Sequence, residues 1–243
     1  MRCCRYLRSK LFLQIEKEFL VEKEILLSLW GIETNFGKHV GKMDIISSLA
    51  TLSYDKRRRD FFSSQLFILL ELVEDKTVDP ETLYGSWAGA YGNFQFMPTT
   101  IENYAIDYNK NNKIELRSLD DSFASAANYL NKIGWEKNTP CFSKINLKIN
   151  TPDKYLNSSA RNIKNKRKVK FFKKYIMNYE ELSLNDNLLA AIIIPDKDII
   201  PGSKKLEPAY LIYNNYEKIL NWNRSLRFAL AVCTLKDNFK NEI

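Results

Sequence analysis

Histidine is almost missing from this chain: His39 is the only one in 243 residues. That argues against His-based metal sites and against Ser-His-Asp chemistry. Cysteine is scarce too, at Cys3, Cys4, Cys141 and Cys233. Adjacent Cys3 and Cys4 cannot easily bridge each other and no metal-ligand spacing occurs, so neither a zinc site nor a disulfide framework is expected. No apolar run approaches the ~20 residues of a membrane span. The start, Met1 to Lys10, is basic like the first part of a signal peptide. Charge breaks the following stretch, Leu11 to Lys17, too early for the apolar part. It reads as an amphipathic helix, and no export signal is visible. Internal repeats and low-complexity linkers are absent as well.

What is present is apolar and basic. Hydrophobic residues make up 45% and aromatics 13%, enough for one large domain or one domain plus a small one. The net charge of +8 suits an anionic partner such as nucleic acid, anionic lipid or an acidic polymer. The densest basic run, Arg161 to Lys174, interleaves Val169, Phe171 and Phe172. No nucleic-acid motif accompanies it, so it reads as a solvated face and no nucleic-acid partner is expected.

Helices are expected over residues 8–22 and 24–36. Another follows Asp44 as cap, through Ile45, Ile46, Leu49 and Leu52. Residues 57–74 form a long one, with Phe61, Phe62, Leu66, Leu69, Leu70 and Val73 on its buried face. Asp79-Pro80 starts a short helix. Residues 84–100 break the pattern with glycines and aromatics, as a loop does where backbone approaches something closely. Thr99 or Thr100 is then expected to cap a helix holding Tyr104, and Asp121 to Ile133 forms another, closed by Gly134. Short β-like runs follow at 141–149, 188–194 and 209–213, before a final helix from Ser225 to Phe239.

Glu33 stands out. Its helix carries Leu26, Leu29, Trp30 and Ile32, is apolar on nearly every side, and ends at Gly37. Glu33 falls in the last turn, by the negative end of the helix dipole and among apolar side chains. Both effects disfavour the carboxylate and are expected to raise its pKa, which suits a general acid. A lone helical Glu is more often an ordinary solvent-facing residue. The second stretch tips the balance.

Gly31-Ile-Glu-Thr-Asn-Phe-Gly37 followed by Ser86-Trp-Ala-Gly-Ala-Tyr-Gly-Asn-Phe-Gln-Phe-Met-Pro-Thr99 resembles the lytic murein transglycosylase B family. Ala127-Asn-Tyr-Leu130 with Gly134-Trp135, and the closing segment from Tyr216 to Val232, resemble it too. The resemblance implies an α+β, mostly α fold: a lysozyme-like helical catalytic core over 1–137, a small β-containing subdomain over 138–210, and a segment over 211–243 returning to the core. It implies a monomeric enzyme of the periplasm or cell envelope. The enzyme would cut the β-1,4 bond between N-acetylmuramic acid and N-acetylglucosamine in peptidoglycan glycan strands, beside other wall-synthesis or hydrolysis proteins. The sugar's own C6 hydroxyl would displace the leaving group and leave 1,6-anhydro-muramic acid. Glu33 would be the one acid/base. Asp44, Asp55 and Asp60 are weaker choices for a second carboxylate. Ser86, Gln95, Arg57, Arg58, Tyr129 and Asn223 match substrate-binding positions. Trp222 and Phe228 match them as well, standing where the family tends to have tyrosines. A hydrolytic muramidase and a catalytically silent glycan binder are the alternatives.

No cofactor is required for this chemistry. A weak EF-hand-like calcium site is expected in the loop from Asp107 to Ile114. Asp107, Asn109 and Asn111 supply side-chain oxygens and Lys113 its backbone carbonyl, and the family resemblance implies Asp121 as a late carboxylate in a slightly enlarged loop.

Overall fold

The computed structural model describes residues 9–182, 185–197 and 206–241. Cys3, Cys4 and nearly all of the basic start lie outside them. Contacts divide the chain into two units, the first running to Gly134 and including the end of the last helix from Phe239, the second running from Trp135 to Asn238.

The first unit is helical: α1 (Lys10–Phe19), α2 (Lys23–Thr34), α3 (Ile45–Leu52), α4 (Arg59–Glu74), α5 (Pro98–Tyr104) and α6 (Leu119–Lys132). Its one strand pair among the described residues joins β1 (Met43–Asp44) to β2 (Tyr84–Gly85), antiparallel. Polar caps start three of the helices. Ser9 accepts the Phe12 N–H, Asp44 the Ser47 N–H and Ser118 the Asp121 N–H, each meeting an otherwise orphaned donor. α5 differs from expectation. Met97 is its N-cap and Pro98 its first residue, because proline's fixed φ and missing N–H suit that position. Thr99 instead gives its N–H to Gln65 on α4, at 3.1 Å.

α2 is the centre of this unit. Ile25, Leu26, Leu27 and Leu29 are fully buried, as its nearly all-apolar sequence requires. Phe123 of α6 meets the rings of Phe12, Trp30 and Phe94 at centroid distances of 4.4, 5.2 and 4.9 Å. α4 buries a narrower face than its sequence suggests. Phe62 and Leu69 are inside with Gln65, whereas Phe61 and Leu70 are 41% and 42% exposed.

The second unit holds β3 (Phe142–Ile145), β4 (Leu156–Asn157), β5 (Arg167–Lys168), α7 (Val169–Phe172), β6 (Leu189–Ile193), β7 (Ala209–Ile212), α8 (Asn214–Trp222) and α9 (Leu226–Asn241). The sheet order is β3-β7-β6-β4, with β5 also pairing with β6; β4 and β6 are parallel and the other pairs antiparallel. β6 is buried from Ala190 onward, as expected of a continuously apolar central strand. The basic run folds as β5, α7 and a 3₁₀ turn. It buries Val169 and Phe172 and leaves most of its cations exposed.

Two features depart from the sequence reading. Cys141 and Cys233 form a disulfide, 92 residues apart, where none was expected. Nothing in local spacing marks partners so distant. α8 is the second: the sequence reading placed no helix between Tyr213 and Ser225, and this one has no capping side chain. It is held instead by Asn215, fully buried, which accepts the Glu136 N–H and donates to the Glu136 and Thr139 carbonyls at 2.8–2.9 Å. No helix among the described residues is long and apolar enough to cross a membrane.

Candidate active site

Glu33 is the penultimate residue of α2 and is half-buried. The helix stops there because Asn35, Phe36 and Gly37 all take left-handed backbone, with φ of 50°, 58° and 78°. The Asn35 and Phe36 N–H groups return to the Gly31 and Trp30 carbonyls, closing the last turn. Gly31 lets the Phe36 ring fold back onto the helix: a Cβ there would sit 2.8 Å from Phe36 Cζ.

This end is bolted to the glycine-rich loop. Thr34 Oγ1 donates to the Asn93 carbonyl at 3.0 Å and accepts the Gly37 N–H at 3.1 Å. Trp30 Nε1 donates to Asn93 Oδ1 at 3.2 Å. Asn93 Nδ2 reaches Ser122 Oγ on α6 at 3.1 Å. Asn93 thus joins α2, the loop and α6, a role the sequence reading did not give it. Nothing in the local sequence separates it from a solvated loop asparagine.

Ser86 and Gln95 hang on the same frame. Ser86 follows β2, its Oγ accepting the Ala90 N–H at 3.0 Å. A Cβ at Gly41 would lie 2.6 Å from the Ser86 nitrogen, so only glycine lets the segment after α2 pass so close. Gln95, at φ 51°, donates through Nε2 to the Val40 and Gly92 carbonyls at 3.2 and 2.9 Å. Among the described residues its Oε1 accepts no hydrogen bond, so the amide is fixed with its acceptor still available. The segments that carry the helix end, Ser86 and Gln95 are therefore linked through Asn93 and the stretch at Val40 and Gly41. Trp87, beside Ser86, is 68% exposed.

Tyr129 on α6 stacks on Tyr104 at 4.4 Å and meets Phe96 edge-on. Burial, with Tyr104 adding to it, pushes its phenol up to about 12, so it stays protonated near neutral pH. Arg57 and Arg58 lie at the start of α4. Arg57 pairs with Asp55 at 3.0 Å and is 87% exposed, and Arg58 covers the Phe61 and Phe62 rings at 4.5 and 4.7 Å. Two of the alternative acids are engaged: Asp44 in capping α3 and Asp55 with Arg57, and these bonds hold both carboxyls below their ordinary range. Trp222, Asn223 and Phe228 belong to the second unit, Trp222 ending α8, Asn223 following it and Phe228 in the first turn of α9.

The expected calcium loop is a closed turn. The Asp107 carboxylate accepts the Asn111 and Asn112 N–H groups at 3.1 and 2.7 Å, and Asn111 Oδ1 accepts that of Lys113 at 2.9 Å. Asp121, fully buried, takes the Tyr108 and Glu115 N–H groups, both at 2.9 Å. Among the described residues no cluster of three or more His, Cys, Asp or Glu is arranged to hold a metal.

Residues 6–237 match the family model of the transglycosylase SLT domain. The chain belongs to that family. It is 41% identical over 118 residues to membrane-bound lytic murein transglycosylase B of Escherichia coli, covering 48% of this chain and 33% of that protein. SltB3 of Pseudomonas aeruginosa, solved with NAG-NAM-pentapeptide, superposes with a TM-score of 0.84 at 30% identity, covering 98% of this chain and 62% of that one. Slt35 of E. coli, solved in complex with calcium, gives 0.77 at 27% identity, covering 96% and 70%. This SLT-domain chain thus spans about a third of its curated relative and about three fifths of SltB3. Its fold is the lysozyme-like, mostly helical one of the family, with a small sheet.

Proposed function

We propose that the chain is a peptidoglycan lytic transglycosylase. It cleaves the β-1,4 bond between N-acetylmuramic acid and N-acetylglucosamine and leaves 1,6-anhydro-muramic acid ends. The observation carrying this reading is Glu33 at the end of a buried helix, on one frame with Ser86 and Gln95, in a chain of the transglycosylase SLT family. Most glycosidases use two carboxylates; one suffices when the substrate's own N-acetyl group stabilises the oxocarbenium-like transition state. Glu33 protonates the leaving oxygen as the C1–O bond breaks, and its carboxylate then takes the proton of the C6 hydroxyl, whose oxygen attacks C1 and closes the anhydro ring without water. Gln95 Oε1 and Ser86 Oγ meet sugar hydroxyls or N-acetyl groups. On the family resemblance, Arg57, Arg58, Tyr129, Trp222, Asn223 and Phe228 also bind glycan. Glu33→Gln keeps the shape and removes the proton, and is expected to lower release of soluble muropeptides by about 10²–10⁴-fold. Release within threefold of wild type would contradict the assignment.

The periplasm or cell envelope is the compartment we assign. The Cys141–Cys233 bond suits an oxidising compartment, and the E. coli relative is named as membrane-bound. The Asp107 loop takes calcium weakly, since two of its three side-chain positions are neutral amides. With a Kd of about 1 mM, 10 mM calcium adds only about 1.4 kcal/mol. The expected thermal shift is a few degrees at 10 mM and none at 10 μM; saturation in the micromolar range would show a full-strength site instead.

A further inference from the structure

Within the second unit, β4 and β6 run parallel, and both strands end at the same place. The Ile194 N–H still reaches the Asn157 carbonyl at 2.8 Å; beyond it the two chains part. Where they part lies a pocket of about 350 Å³. Ser158 and Arg161 come from the exit of β4, Pro195 from the exit of β6, and Arg224, Leu226 and Arg227 from the start of α9.

Its charge is lopsided. Arg227 is held by Asp196, with Nε and Nη2 at 3.0 and 2.7 Å from Oδ1. Among the described residues the Arg161 and Arg224 guanidinium groups have no hydrogen-bond or carboxylate partner; only the Arg161 backbone is engaged, with Ser159 Oγ. Three arginines against one aspartate leave two positive charges on the pocket wall. Ser225 accepts the Phe228 N–H and opens α9, so the positive end of a sixteen-residue helix adds to the field. Arginine forks match carboxylates in a way single ammonium groups do not. Pro195 and Leu226 give the same pocket an apolar wall, fit for a small alkyl side chain next to an anionic group. Arg224 follows Asn223 directly, and Asn223 is one of the residues matched to glycan binding.

The geometry points to a binding site for a carboxylate-bearing peptide, namely the peptide stem that hangs from the muramic acid. This rests on the transglycosylase reading for its choice of ligand, and it assigns stem recognition to Arg161 and Arg224. Both side chains are exposed, so replacing them costs little stability.

Calorimetric titration of the full chain with a free pentapeptide stem tests it, using wild type and an Arg161→Gln/Arg224→Gln double variant of unchanged melting temperature. Wild type is expected to bind, and binding to weaken about tenfold in the variant, or when the peptide's carboxylates are amidated. Equal affinity in the variant, undiminished binding of the amidated peptide, or no wild-type binding at millimolar peptide would overturn the inference. Competition by equimolar inorganic phosphate would also overturn it, marking a phosphate site. Stem-free glycan strands, run in parallel, separate the two ideas. Anhydro products without peptide binding sink the pocket alone; carboxylate-dependent binding without anhydro products sinks the transglycosylase reading alone.

Discussion

Gly37 shows how much one residue decides here. It has φ +78°, and a Cβ on it would approach Asn93 Oδ1 to 3.1 Å, the atom that accepts from Trp30. Gly37→Ala therefore strains the backbone and pushes on the amide that ties the Glu33 helix to the loop. A loss of about 1–2 kcal/mol is expected, with a lower turnover, since the acid's position depends on that junction. Chemical denaturation and muropeptide release measure the two effects. The place of Glu33 in the last turn of α2 was legible because the helix is apolar on nearly every side and a glycine stop follows it. Asn93 was not, because an asparagine in a loop looks the same in sequence whether it is solvated or joins three elements. Phe61 and Leu70 misled for the opposite reason: helical spacing places them on a face, but it does not say how wide a neighbour covers that face.

Among the elements, helices with strong local signals were readable and those held by distant partners were not. α2 has a long apolar run and a glycine stop, and α3 has Asp44. α8 begins Asn-Asn-Tyr-Glu, poor helix-forming residues without a cap, and depends on Asn215 reaching backbone some 79 residues away. Asp44 offers a direct check. Its carboxyl is lowered chiefly by the Ser47 N–H it accepts, so its contribution is present above the ordinary aspartate pKa and fades as pH falls through the lowered one. Asp44→Ala is expected to cost about 1 kcal/mol at pH 7, with the difference from wild type vanishing near pH 2. Melting curves across that range test the sign. A gap that persisted at pH 2 would mean the side chain acts through something other than its charge.

Across the whole molecule, the β-rich character of the second unit was visible in its three apolar runs, but the disulfide was not. Cysteines 92 residues apart carry no local signal, and their pairing follows only from the packing of α9 near β3. Reduction is expected to lower stability by about 2–4 kcal/mol, seen as a fall in melting temperature that Cys141→Ser/Cys233→Ser reproduces and that reductant then leaves unchanged. The central claim is the chemistry at Glu33, and the mass of the products tests it most directly. Purified peptidoglycan treated with wild type is expected to release muropeptides ending in 1,6-anhydro-muramic acid, lighter by one water than hydrolytic products, and none from Glu33→Gln. Hydrated products from the wild type would contradict the account and make the chain a muramidase.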